Sequence, residues 1–523
     1  MAYSAQPQIN SDKTDYYPFK TAKIMAAKNS GTSSTDEVLA YTTNLISNEV
    51  DGVPCLQTRP RITVNSTFNP GSWPSLFTTG GSLANIQPSH YYDVETSRFF
   101  YSVYISPGVY HLYQWNTVST SFIASFTRTP VITQFTYVSG ARFLFVAGGN
   151  AGIYNLSVAS WTPVTDPDLP SDVQWPVALD NYVFVVRTGT NDIYQCDFDN
   201  PLSWTPGNFI TADLTPGLPF YMGRSQNYIA IFKSGGVEFF FNAGNPSGSV
   251  LSQYESFFKR MALNNLVTPR EFQGRWFVVG ADTFNKEGIY SIDTTGMDLV
   301  GDDITSSFIS LQGTAAQPGR IFFFELYGRP FMSVTRTLVT LQNTVQIFYD
   351  MVKKENVTFS FPNTSLLIDS AFVKDISTIN GSWWLFDNNS LRTDPGDPLQ
   401  FNLGQTSDYN SSNIVVYIQT PYLNFGTNYN KRFKNIELVA TGTIGLSNLS
   451  VTFTNAQSNP LFIGTRNFNQ AGWGSVPVEN GSRSTLSIRR LPKTRGGRFN
   501  ITVTASGVWR FWGLSADLEI GTF

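Results

Sequence analysis

From about Tyr91 to about Pro398, apolar residues come in short unbroken runs, not at the 3.6-residue spacing of a helix face. First runs include Arg98–Tyr104, Arg142–Val146, Tyr182–Val186, Tyr228–Phe232, Arg275–Val279 and Ser382–Phe386. Their partners include Val109–Tyr113, Gly152–Leu156, Asp192–Cys196, Val237–Phe241 and Gly288–Ile292. The pairs are joined through Gly148–Asn150, Gly189–Asn191, Ser234–Gly236 and Asn380–Gly381, residue types that accept positive φ in hairpins. Starts near residues 98, 142, 182, 228 and 275 lie 44, 40, 46 and 47 residues apart. One four-stranded propeller blade takes about 40–50 residues.

Two less regular units follow, Phe322–Tyr327 with Thr344–Tyr349, and the run around Trp383 and Trp384. A twisted sheet that is apolar on both faces needs a neighbour on each side, so stacked blades bury what one blade alone exposes. The pattern predicts an all-β chain, a β-propeller of six or seven blades over residues 91–401. A large sandwich of successive hairpins is the competing architecture. Beyond about Asp397 the texture changes to alternating strands, plain in Asn435–Ala440, Leu449–Phe453, Phe499–Val503 and Trp509–Leu514. Residues 402–523 read as a separate C-terminal β-sandwich, and residues 1–90 as an N-terminal arm with the first strands.

Composition agrees with short strands and tight turns. Of 523 residues, 15% are aromatic and only 14% charged, with 41 Gly and 28 Pro. That excludes wholesale disorder and a coiled coil. The net charge is −3, which is no whole-chain signature of a nucleic-acid binder. It is unevenly spread: residues 402–523 hold eleven Lys and Arg against five Asp and Glu, a net +6, leaving −9 for residues 1–401. Residues 1–20 carry no apolar core of a secretory signal, and no run is long enough to span a bilayer as a helix.

Candidate chemistry is sparse. Cys55 and Cys196 are far apart, and His90 and His111 are the sole histidines, so neither a Cys/His zinc site nor a disulfide framework is expected. A glycosidase needs two carboxylates across a cleft. Asp166 with Asp168, Asp192 with Asp197 and Asp199, and Asp302 with Asp303 are the candidates, each beside turn residues where Asp makes Asx-turns. No phosphate loop, nucleophile elbow or HExxH motif occurs. No enzyme, metal or cofactor is expected. The densest charge run holds Arg489, Arg490, Lys493, Arg495 and Arg498. It admits three readings: a solvated hairpin, an edge that docks on an acidic protein surface, or a phosphate contact beside Phe499, Trp509 and Trp512.

The order of these elements resembles a known family. Tyr228–Gly244, followed by Phe258–Ala262 and Gly288–Ile292, is similar to the blades of the packaged-DNA stabilisation, or tail-nozzle, proteins of short-tailed bacteriophages. Asp192–Trp204 resembles a blade end of that family, and Thr420–Gly426, Lys434–Leu438 and the segment from Arg489 to Ile520 resemble its C-terminal sandwich. The likeness covers about residues 90–300 and 415–523.

The resemblance implies a structural virion protein of the tail. It would form a homo-oligomeric ring, typically a hexamer, below the portal and its adaptor ring. Such a ring continues the DNA channel, retains packaged DNA, supports ejection and mounts fibres, spikes or a needle. Double-stranded DNA would pass without sequence-specific binding, and no membrane anchor is implied. Under this reading the acidic N-terminal two-thirds supplies channel charge, and the basic C-terminal domain meets protein. A glycan-binding or glycan-degrading tail propeller is the alternative.

Overall fold

The computed structural model describes residues 11–18, 41–43, 45–50, 52–59, 61–64, 86–116, 120–265, 267–301, 319–335, 346–359, 373–379, 382–387, 399–402, 414–420, 431–442, 446–455, 460–467, 484–489, 493–494, 497–505 and 509–520. The chain is all-β, a propeller joined to a two-sheet sandwich. Seven antiparallel blade sheets are present among the described residues. The first four run in chain order through Ile86–Phe126, Val131–Pro163, Val173–Thr211 and Pro219–Gln253. The fifth is built on Arg275–Ala281, the sixth on Gly319–Leu326 and the seventh on Val373–Ile379. The innermost strand of each blade touches that of the next, and that of the seventh touches that of the first, which closes the circle.

Burial explains the unbroken apolar runs. In the second blade, Phe145 and Ala147 pack toward the third blade, whereas Leu144 and Val146 pack toward the first. In the third, Val183 and Val185 face back and Phe184 and Val186 face forward. Ile229 and Ile231 against Ala230 and Phe232, then Trp276 and Val278 against Phe277 and Val279, continue the alternation. Successive side chains of a strand point to opposite faces, so a strand covered on both sides has no polar phase. The recognisable runs are therefore the middle two strands in each of the first five blades, whereas Phe322–Tyr327 falls on the inner strand of the sixth. At the sandwich the pattern differs: Ile414, Val416 and Ile418 are buried and Val415 is half exposed, a strand with one covered face.

Two blades depart from the simple hairpin order. The inner strand of the fifth is interrupted: Ala262–Leu263 and Arg270–Phe272 both pair with Arg275–Ala281. Between them, Val267–Thr268 crosses over and pairs in parallel with Gly319 and Arg320 of the sixth. The seventh blade is completed from the other end of the chain, because its outer strand is Arg61–Val64, paired with Leu399–Asn402. Closing the ring with a sequence-distant strand couples its two ends through backbone hydrogen bonds.

The N-terminal segment is organised differently from the expected arm. Ser11–Pro18 pairs with Trp509–Ile520, and Tyr41–Thr43 with Ile414–Gln419. Leu45–Val50 and Val53–Thr58 extend the first of these two sheets. The sandwich is thus built from both termini, and the expected division at residues 90 and 402 does not match its physical bodies. The reason is edge satisfaction: strands of the C-terminal half leave open ladders that the N-terminal strands fill. The chain then runs from Thr58 through Arg59 straight into the outer strand of the seventh blade.

Side chains join the two bodies at the sixth blade. Arg329 lies 2.7 Å from the buried carboxylate of Asp350 and donates to the Ser47 carbonyl at 2.6 Å. Ser47 donates its hydroxyl to Glu355, and Tyr327 donates to the Thr58 carbonyl at 3.0 Å. Blade stacking is close elsewhere too. A Cβ on Gly223 would stand 2.1 Å from the indole of Trp276, itself in T-shaped contact with Phe232 and Tyr221. Gly223→Ala is therefore expected to overpack the interface of the fourth and fifth blades and cost about 1–3 kcal/mol. Chemical denaturation of the variant beside the parent checks this, and an unchanged midpoint would refute the tight stacking.

Candidate functional site

The basic run is carried by the sandwich. Arg489 ends the strand Ser484–Arg489 with Asn435 as its partner, and Lys493 pairs with Arg432, both in one sheet. Arg498 lies in Gly497–Ala505 of the other sheet, opposite Thr454. The segment therefore passes from one sheet to the other and does not close a hairpin within one. Arg490 and Arg495 lie outside the described residues. Backbone register adds Lys431, opposite Thr494, and Arg432 to the same end of the sheet. This end is the candidate partner-binding surface. Register also brings acidic residues to it, since Glu519 stands opposite Arg432 and Asp12 opposite Glu519.

The carboxylates considered for glycosidic chemistry hold turns and strand ends. Asp166 accepts the backbone N–H of Asp168 at 2.9 Å and of Trp204 at 3.0 Å. Asp197 accepts from the hydroxyls of Ser203 and Thr205, each at 2.6 Å, and Asp192 from Thr211 at 2.8 Å. Asp199 accepts the N–H of Val138 and ties the third blade to the second. Asp302 and Asp303 lie outside the described residues. Among the described residues no group of three or more His, Cys, Asp or Glu is placed to hold a metal ion.

The remaining candidates are packed into the fold. His111 contacts the Tyr113 hydroxyl at 3.3 Å and lies edge-on to Phe122, and burial lowers its pKa from the usual imidazole range. The His90 ring lies tilted against that of Phe99, their centroids 5.8 Å apart. Both thiols are free and buried, Cys55 in the sandwich and Cys196 in the third blade. Burial pushes Cys196 up to about 12, despite the Val183 N–H directed at its sulfur at 3.0 Å. A thiol held protonated is a poor nucleophile.

Polar groups that belong to no sequence motif make the strongest local geometry. Lys233 and Glu238 flank the Ser234–Gly236 turn of the fourth blade, fully buried and 3.1 Å apart. Lys233 donates to the Ala212 carbonyl at 2.8 Å. Glu238 accepts from the N–H and hydroxyl of Thr215 at 2.8 and 2.7 Å and from Gln253 at 2.6 Å. The pair locks the turn onto the linker from the preceding blade. A Lys five residues before a Glu, both inside apolar strands, was the visible signal. Two further ion pairs bridge blades: Asp93 with Arg142 at 2.7 Å, and Asp172 with Arg128 at 2.7 Å.

Several loop tips on one propeller face carry apolar side chains. Val94, Val138, Val158, Phe198 and Val352 are all exposed and sit in turns between first and second or third and fourth strands. On the same face, Asp180, Asn227, Tyr228, Phe241, Asn242 and Tyr254 line a groove of about 360 Å³ between the third and fourth blades. An open, polar groove of about 460 Å³ lies on the other face, around Tyr110, Arg128 and Asp172.

No family model matches the chain, and no curated protein matches it. Among solved structures it is similar to the extracellular domain of a hybrid two-component system from B. thetaiotaomicron, with 11% identity over 72% of this chain and 46% of that one, TM-score 0.37. The chain thus spans about half the length of that structure. It is also similar to a chain of the mitotic checkpoint complex, with 10% identity over 66% and 93%, TM-score 0.36. A third is the C-terminal WD40 domain of Sif2, with 10% identity over 71% and 98%, TM-score 0.34.

Two expected outcomes follow from the polar joints. Lys233→Met leaves Glu238 buried without its counter-charge and should cost about 3–5 kcal/mol. Adding Glu238→Gln should recover part of that loss, because a neutral amide still accepts from Thr215; urea midpoints of the parent, single and double variants measure both. The second concerns pH. Burial raises the pKa of Asp93, but hydrogen bonds from Thr96 and Arg142 and the Arg142 charge outweigh it and hold the carboxyl below the usual range. A depressed folded-state pKa adds stability that is complete above the unfolded value near about 4 and is lost as pH falls toward the folded one. The stability gap between parent and Asp93→Asn should accordingly be constant near neutral pH and shrink below about pH 4. A gap independent of pH would exclude an ionised Asp93.

Proposed function

We propose that the chain is a structural subunit of a tail nozzle in a short-tailed phage, working by assembly into a ring and not by catalysis. The observation that carries the reading is the weld between its two bodies. Strands from both termini interlace in the sandwich, and the same N-terminal segment supplies the outer strand of the seventh blade. A load on the sandwich therefore passes into the closed propeller through the short step from Val53–Thr58 to Arg61–Val64 and through the bonds from Arg329 to Ser47 and from Tyr327 to Thr58. That build suits a conduit wall exposed to internal pressure. The resemblance of Tyr228–Gly244 and of the segment from Arg489 to Ile520 supports the same reading.

Assembly is assigned to charge of opposite sign on the two bodies. The basic sandwich end, with Arg489, Lys493 and Arg498, docks on an acidic surface of a neighbouring copy or of the adaptor ring. Such a head-to-tail contact generates a closed ring when the rotation between copies closes. DNA would then slide past a lumen of like charge without sequence-specific contacts, and fibre, spike or needle proteins would attach at the outer rim.

Native mass spectrometry and negative-stain imaging of the purified chain, alone and with an adaptor ring, test this. A ring with a central opening is expected, and Lys493→Glu with Arg498→Glu should disperse it while leaving the melting temperature in place. A chain that stays monomeric at all concentrations and with the adaptor present would overturn the proposal.

A further inference from the structure

The groove between the third and fourth blades has features that neither the fold nor a ring assembly requires. Its walls are fixed. The Asp180–Asn181 turn has positive φ at both residues, 50° and 64°, which Asp and Asn tolerate better than most side chains. The neighbouring turn is held by Arg224, which donates to the Gln226 carbonyl at 2.8 Å and across the blade boundary to the Ala178 carbonyl at 3.0 Å. Asn242 accepts the Gly244 N–H at 2.9 Å and donates to Asp180 Oδ2 at 3.1 Å, which orients both groups.

On one side stands a stack of rings. Tyr228 and Tyr254 lie 5.7 Å apart at 23°, Tyr254 and Phe257 lie 4.7 Å apart at 15°, and Phe241 meets Tyr254 edge-on. The lining also holds polar groups with spare capacity. Among the described residues, Asp180 Oδ1, the Asn227 amide and the hydroxyls of Tyr228 and Tyr254 make no hydrogen bond. The lining thus combines aromatic surface with a planar carboxylate and amide and with hydroxyls that both donate and accept. It contains no cation, which disfavours phosphate or another anion. The volume of about 360 Å³ lies at the lower end of the range for small-molecule sites.

We propose that this groove binds a neutral pyranose sugar. Vicinal hydroxyls of a pyranose donate to Asp180 Oδ1 and exchange hydrogen bonds with the Asn227 amide, while the C–H side of the ring packs on the wall formed by Tyr228, Phe241 and Tyr254. The proposal does not depend on the nozzle reading, because the groove is complete within one chain.

The test is a saturation-transfer and chemical-shift titration of the full chain with glucose, galactose, mannose and N-acetylglucosamine, repeated with dextran. Saturable binding of at least one sugar is expected. Asn227→Ala, at an exposed turn position, and Asp180→Asn, which keeps the tolerance for positive φ, should each weaken it about tenfold or more without lowering the melting temperature. Binding of the monosaccharides alone would assign a free sugar, and tighter binding of dextran a polymeric glycan. Absence of saturable binding to all five probes, or binding that both substitutions leave unchanged, would overturn the proposal. Ring formation by Asn227→Ala, read by native mass spectrometry, separates failure here from failure of the assembly reading.

Discussion

Everything in the propeller follows from one constraint: the middle strands of a blade are apolar on both sides, so no blade can exist without two neighbours. A linear row of such sheets would always leave two apolar faces in water. Closing the row into a circle removes both, and the contact between the first and seventh inner strands does so. The outer strand Arg61–Val64 then makes closure a backbone event, since the last sheet cannot be completed until the N-terminal segment arrives. Apolar burial at roughly 25 cal/mol per Å² drives the stacking, and the ladder sets its endpoint.

The same constraint explains what could be read in advance. Arg142–Val146 and Gly152–Leu156 stood out because double-sided burial leaves no polar phase, and their regular spacing disclosed the blade repeat. Inner and outer strands were harder to see. Val131–Thr136 is mostly half-buried, Ser160–Pro163 mostly exposed, and each carries Thr or Gln where the middle strands carry Val or Phe. The pairing of Ser11–Pro18 with Trp509–Ile520 was invisible, because no local pattern encodes a partner about five hundred residues away. Turn chemistry was legible at Gly148–Asn150 but silent at Asp180–Asn181, where two common polar residues adopt positive φ with no glycine to announce it. The basic run could be located by composition, yet its passage between two sheets depends on register that charge does not specify.

Buried charge has a different task from buried carbon here. Lys233 and Glu238 sit where an aliphatic pair would pack as well or better, since removing two charges from water costs several kcal/mol before they attract. Their hydrogen bonds to Ala212 and Thr215 tie one hairpin to the linker of the blade before it. Asp93 with Arg142 and Asp172 with Arg128 do the equivalent at other boundaries. Apolar stacking alone tolerates sliding of one sheet over the next. Directional bonds at the rims forbid it, so the polar joints determine alignment while the apolar faces supply most of the adhesion.

That division leaves the turns free. Once stacking and rim bonds define the ring, residues at the tips answer to little packing demand, and Val138, Val158 and Phe284 stand exposed. The groove beside Asp180 is the exception that carries information. Its turn is pinned across a blade boundary by Arg224, its amide is oriented from two sides, and its rings are stacked three deep. Rigidity of this kind contributes little to a propeller whose blades are already held by stacked apolar faces. It lowers the entropy lost when a ligand is held, which is the one free-energy term that a pre-formed groove improves and a loose one cannot.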